Sequence, residues 1–434
     1  MREDNTHAGR QDMPQDDTFG SQPVSSGTSS QAGSHPGMHF VEFVAMMAAL
    51  MALNALAMDT MLPALPDIGH ALNIMNENDH QNVLIAYLIG FGGAQLFYGP
   101  VSDAFGRRHI LLAGLALYAL ASVAALVSHT QDQLFFARFL QGVGCAATRV
   151  IATSVIRDCY SGRQMGRVMS LVMMVFMVVP VLAPSIGQAV ILVADWRWIF
   201  TFLMGAGVIM LVWCWFRLPE TLPKKRRQPL DLRAITHAYM TTLRTRSSLG
   251  YMFALTFVFG GLFSFLTMSQ QIFVQVYGLG VWFPIVFASV AIAMAAASFT
   301  NSTLVEAIGM RRLSHGAIFV FITLGAILLA LSLTGSVNFW LFILMTGVVM
   351  ASFGFLGANF NAMAMEPLGQ IAGTASSVIG SVSTLGGAVL GYIMGQLFNG
   401  TIMPLALAFT LYGLGALVAI LYAEGGRLFH TYNA

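Results

Sequence analysis

Two kinds of side chain in this sequence could do chemistry within otherwise apolar surroundings. One is a carboxylate, Asp59, in the stretch LNALAMDTMLPALPDIG (53–69), where a long apolar run admits a single acid before Pro63 and Pro66. The other is a pair of guanidinium groups, Arg138 and Arg149, eleven residues apart. That spacing is close to three helical turns, so both can face one side of a helix. Arginine keeps its proton at any working pH, so these two would hold a fixed positive potential and the carboxylate is the group that can switch. A carboxylate balanced between desolvation and a nearby guanidinium could take up a proton on one side of a membrane and release it on the other. The plainer alternative for Asp59, four residues before Pro63, is an interfacial residue that orients the next loop. For Arg149 it is a side chain that snorkels to the nearer membrane surface.

A second cluster lies in GPVSDAFGRRHIL (99–111), with Gly99, Asp103, Gly106, Arg107 and Arg108. Gly99 permits close helix approach, and Pro100 bends a helix near its end. Asp103 would then sit at a helix C-terminus, where the dipole disfavours negative charge, so it needs Arg107, Arg108 or the N-terminus of another helix. The segment STLVEAIGMRRLS (302–314) echoes it, with Glu306 and Gly309 in the places of Asp103 and Gly106.

The elements that must carry these residues follow from composition. Of 434 residues, 56% are hydrophobic and only 9% are charged, against about 25% charged in ordinary soluble domains. Mean hydropathy is +0.72. So few charges exclude a soluble fold of this size, and long apolar runs without strand alternation favour helices over a barrel. The expected fold is all-α and polytopic, with about twelve spans: 39–62, 82–101, 110–127, 134–156, 168–193 and 198–216, then 251–274, 282–304, 317–333, 338–358, 374–397 and 404–422.

Of the 21 Lys and Arg residues, all but Arg138, Arg149 and Arg197 fall in the termini or in alternate loops. By the positive-inside rule those loops and both termini are expected in the cytoplasm. The expected organisation is a disordered tail (1–38), a six-helix half (39–217), a basic linker (218–249), a second six-helix half (250–424) and a short tail (425–434). The basic run KKRR reads as loop rather than as a nucleic-acid site. Cys145, Cys159 and Cys214 share no metal-ligand spacing. No phosphate-binding Gly-Lys-Ser/Thr loop occurs, GVG (142–144) falls inside a span, and no nucleophile–base pair is evident, so neither an enzyme nor a cofactor is expected.

The cluster GPVSDAFGRR resembles the signature loop of the major facilitator superfamily, Gly-x-x-x-Asp-x-x-Gly-Arg-Arg. ARFLQGVGCAA (137–147) resembles the fourth-span motif of its drug:proton antiporters, and VVPVLAPSIGQ (178–188) their fifth-span motif. MDTMLPALPDIG and IAGTASSVIGSVSTLGGAVLG (371–391) narrow the resemblance to the bicyclomycin/chloramphenicol-resistance branch. It implies that Asp103 latches onto the eleventh helix in the outward-facing state. It also implies that Arg138 takes part in proton movement in a central cavity, and that Pro180, Pro184 and Gly187 form a kinked antiporter segment. Two departures stand out. Ala183 and Gln188 replace expected glycines, and the stretch EFVAMMAALMALN (42–54), where some relatives carry a second acid besides that at Asp59, offers only Glu42 at its boundary.

Polar residues inside spans usually face the bundle interior. Tyr87, Gln95, Tyr98, Gln270, Gln271 and Asn359 are therefore candidates for a substrate cavity, or else for helix–helix hydrogen bonds. The stripe Gly387, Gly391, Gly395 suits close helix packing. The reading is a proton-coupled exporter of small amphipathic compounds such as antibiotics, monomeric, in a bacterial inner membrane. A carrier of one siderophore or metabolite and a non-transporting sensor are the alternatives.

Overall fold

The computed structural model describes residues 37–429 apart from 161, 228 and 336; the tails expected at 1–38 and 425–434 lie mostly outside the described residues. The first half comprises α1 (Phe40–Asp59), α2 (Leu65–Ala71), α3 (Asn82–Phe105), α4 (Arg107–Leu126), α5 (Gln131–Cys159), α6 (Gly162–Val193) and α7 (Arg197–Arg217). A linker helix, α8 (Leu232–Arg244), follows. The second half comprises α9 (Arg246–Gln271), α10 (Phe283–Ile308), α11 (Met310–Leu333), α12 (Phe339–Met365), α13 (Ala372–Gln396) and α14 (Met403–Ala423). Among the described residues there is no strand. Twelve segments among the described residues are long and apolar enough to cross a membrane, α1 and α2 forming one of them.

Local chemistry sets the helix ends. Thr130 and Asn338 cap α5 and α12 by accepting from the backbone N–H of Gln133 and Trp340. Proline opens α2, α10 and α14, where a missing N–H costs nothing. Several helices outrun the apolar stretch that marks them; α9 starts at Arg246 rather than near 251, because hydropathy locates the hydrocarbon core and not the turns that project beyond it.

The halves repeat one packing plan. In the first, α3 packs on α5, α5 on α4, α4 on α7, and α1 on α5, α6 and α7. In the second, α10 packs on α12, α12 on α11, α11 on α14, and α9 on α12, α13 and α14. Two seams join them, α3 with α13 and α6 with α10, which exchange under the same two-fold relation. The basic loops share one end of the bundle, where Arg107 meets Asp158, Glu42 meets Arg217, and Arg311 meets Glu366 and Glu424. At the far end the halves are bonded to each other. Asn78 donates to the carbonyls of Gln396 and Phe398, and Gln396 donates to Asn78 O and Asp79 Oδ1. Gln271 donates to Asn78 Oδ1 and Gln275 to Glu77 Oε2.

Candidate functional site

Asp59 is the last residue of α1. Pro63, four residues on, cannot donate an N–H, so the helix stops, makes a single tight turn at Leu62–Ala64 and restarts as α2. The side chain is buried, and among the described residues it has no hydrogen-bond or ion-pair partner. The elbow beside it rests on α6. Gly187 lies so close that a Cβ there would run into the Thr60 carbonyl and touch Pro63. This contact needs glycine, and it places the fifth-span motif directly against the break after Asp59. α6 itself runs as one helix through Pro180 and Pro184.

Arg138, on α5, is fully buried. Its Nε donates to the Val83 carbonyl at 3.2 Å and its Nη1 to Gln141 Oε1 at 2.5 Å, and its guanidinium lies 4.6 Å from the Tyr87 ring centroid. Nη2 has no partner. The network continues through Gln141 to Ser122 Oγ at 2.7 Å and from the Tyr87 hydroxyl to Asn54 Oδ1 at 2.9 Å, so it ties α1, α3, α4 and α5 together. The expected neighbour Asp59 is not paired with it. A cation without a counter-carboxylate in this position is costly, and an aromatic face plus two oxygens offset only part of that cost. Arg149 is half-buried, with its guanidinium 6.0 Å from the Phe91 ring. Phe91 stacks on Tyr87, so both arginines face α3, as their spacing predicts.

In the signature loop, Gly106 joins α3 to α4 at φ 101°, ψ 150°, a conformation that favours glycine. Arg107 is buried beneath it. It pairs with Asp103 at 2.5 Å and Asp158 at 3.0 Å and donates to Ser102 Oγ at 2.7 Å. Glu220, from the linker, accepts from the backbone N–H groups of Arg107 and Arg108 at 2.9 and 3.3 Å. It thereby caps α4 with a charge of the favourable sign. Arg108 donates to the Trp215 carbonyl at 2.5 Å. Among the described residues Asp103 makes no bond to α13; the side chain by the start of α13 is Arg157, 3.2 Å from the Cβ position of Gly373. The expected latch belongs to an outward-facing state, and here the far end is the closed one.

A family model for the Major Facilitator Superfamily matches residues 47–391. The chain belongs to this superfamily. It is therefore a multi-pass membrane transporter and not an enzyme. It is 31% identical over 379 residues to the bicyclomycin resistance protein homolog of Haemophilus influenzae, covering 87% of this chain and 94% of that one. It is 28% identical over 378 residues to multidrug resistance protein D of Escherichia coli, covering 86% and 93%. Among solved structures, the xylose transporter XylE from E. coli, in a partially occluded inward open conformation, superposes with a TM-score of 0.67. That match has 13% identity and covers 89% of this chain and 98% of the other; it bears on the fold alone.

Within this superfamily fold, the six expected cavity residues are not brought together. Tyr87 is committed to Asn54, and Asn359 forms a reciprocal pair with Asn301 at 2.9 and 3.1 Å across α12 and α10. Tyr98 packs between α3 and α4, its hydroxyl near Gly114. Gln95 bonds back to the Phe91 carbonyl and lies against Gly380 in the α3–α13 seam. Gln270 and Gln271 line a cavity of about 90 Å³ at the far end, with His70, Glu77 and His80. These polar positions mostly serve helix packing, since a buried amide or hydroxyl without water satisfies itself on the nearest helix. The residues missed from sequence are the partners: Asn54, Ser122, Gln141, Asp158, Glu220 and Asn301. Their signal was polarity inside or beside a span, which names a residue but not its partner.

Proposed function

We propose that this transporter exports small amphipathic compounds, antibiotics among them, in exchange for protons, from a bacterial cell across its cytoplasmic membrane, with the basic end inside. The observation that carries the reading is the buried, unpartnered carboxylate of Asp59 in the same bundle as the buried, incompletely partnered guanidinium of Arg138. Either group alone is costly in such surroundings, and a proton on Asp59 removes the cost on that side. Asp59 loads a proton from outside when the far end opens and releases it inside after the halves rock. Each inward charge contributes about 2.3 kcal/mol per 100 mV of membrane potential. The Gly187 contact supports the coupling, because any shift of the elbow beside Asp59 must move α6, and α6 forms one of the two seams with α10. The names of the relatives support the substrate class, and the positive-inside rule supports the orientation.

The test is drug efflux driven by a proton gradient in everted vesicles, with wild type and Asp59→Asn at matched expression. Wild type is expected to export members of a panel of neutral and cationic amphipaths. Asp59→Asn is expected to bind them and lose the gradient-driven component. Export by Asp59→Asn at the wild-type rate would assign Asp59 to the loop alone. Wild-type flux of a single physiological compound, and of no panel member, would replace the drug reading by the narrower carrier.

A further inference from the structure

The linker helix α8 is carried by the second half. It begins at an Asp231 cap, packs on α9 and α13, and buries Ala238 and Thr242 while Leu232 and Met240 stay exposed. One residue reaches the other way. The Tyr239 hydroxyl donates to the Leu96 carbonyl of α3 at 2.6 Å. Leu96 stands four residues before Pro100, inside α3. Proline has no N–H, so this carbonyl has lost the donor that an uninterrupted helix would supply. The matching position of the second half is Thr303, which keeps its N–H and turns its hydroxyl back to the Thr300 carbonyl. The acceptor is thus particular to the first half, and the linker supplies the donor.

We propose that Tyr239 is a positioning residue of the transport cycle: it ties α8, and with it the second half, to α3 through the carbonyl that Pro100 frees, and so sets the balance between the conformation closed at the far end and its opposite. Six hydrogen bonds hold the halves at the far end. At the basic end, among the described residues, this is the one hydrogen bond between the first half and the body formed by α8–α14. Rocking displaces α3 relative to α8, and a hydrogen bond at 2.6 Å does not survive a displacement of an ångström or more. The bond therefore counts in one conformation only. Burial pushes the Tyr239 hydroxyl up, which keeps it a donor at working pH. The inference rests on membership of the transporter superfamily and is independent of the substrate and of proton coupling.

The experiment reads the two populations directly. Spin labels on cysteines introduced at Gln131 and Thr334, exposed positions at the far end of each half, report closed and open distances in purified full-length protein. Tyr239→Phe is expected to shift the ratio toward the far-end-open state by about fivefold, the equivalent of one hydrogen bond of about 1 kcal/mol. The decisive arm repeats it with Pro100→Ala, and with Pro100→Leu as a second replacement. Either residue restores an N–H for Leu96, so Tyr239→Phe should then shift the ratio little or not at all. An unchanged ratio in Tyr239→Phe, or an equal shift with and without Pro100, overturns the proposal.

Discussion

The two junctions built on Gly106 and Gly309 share a backbone and differ in almost everything around it. Gly106 has φ 101° and ψ 150°; Gly309 has φ 92° and ψ 145°. A Cβ on Gly106 would run into the Glu220 carboxylate and approach Arg227 Nη2 at 2.7 Å, whereas on Gly309 it would meet nothing within 4 Å. The arginine after Gly106 turns inward to Asp103 and Asp158. In the second half Met310 stands in the place of Arg107; Arg311, which matches Arg108, reaches Glu366 and the largely covered carboxylate of Glu424, which also accepts from the Tyr251 hydroxyl at 2.5 Å. Glu306, matched to Asp103, is exposed. The repeat preserves the geometry of the helix-to-helix turn and leaves each half to find its own ion partners. The first half recruits the linker, the second its last helix. The linker thus braces the first half through Glu220 and touches it again through Tyr239.

The largest effect that would break the comparison is removal of the two arginines. Arg107 is itself buried, and Arg107→Met takes the shared cation from two carboxylates at once, Asp103 and the half-buried Asp158, a change expected to cost about 3 kcal/mol, the lower end for breaking a buried pair. Arg311→Met leaves Glu424 its Tyr251 partner, and Glu366 is half exposed; loss of a charged hydrogen bond there should cost about 1.5–3 kcal/mol. Thermal unfolding in detergent should rank Arg107→Met as the more destabilised. Equal losses would mean that the two junctions are energetically alike despite their surroundings.

The glycines come next. A non-glycine residue at such φ and ψ costs about 1–3 kcal/mol wherever it stands. Gly309→Ala should cost that and no more. Gly106→Ala must also displace Glu220 from the start of α4, adding about 1 kcal/mol for the lost cap. The same unfolding series reads the difference, and a Gly309→Ala variant at least as damaged as Gly106→Ala would refute it.

Local features of the molecule were legible in the sequence. The spans follow from apolar length, the turn glycines and Arg107 from the spacing in GPVSDAFGRR, and the shared face of Arg138 and Arg149 from eleven residues of helix. Pairing was not legible, because it depends on which helices the fold brings together. Asn359 looks like a cavity residue until Asn301, 58 residues away, is placed beside it. Asp59 and Arg138 look like an ion pair until the structure gives Arg138 to Tyr87 and Gln141. Pro100 marks a helix bend in the sequence, yet the donor to the carbonyl it frees at Leu96 stands 143 residues downstream in what composition marks only as a basic linker.

The smallest expected effect is the most specific to the linker. Glu220→Gln keeps an oxygen that can accept from the Arg107 and Arg108 N–H groups but removes the charge at the start of α4. A charge at a helix N-terminus is worth about 0.3–1 kcal/mol and is screened by salt. Glu220→Gln should therefore lower the unfolding temperature slightly at low ionic strength and converge on wild type as salt is raised. Glu220→Ala removes the acceptor as well, so its deficit should persist at high salt. If the two variants behave alike at every ionic strength, Glu220 holds the loop by packing, and the first half owes its bracing to Arg107 and Asp158 alone.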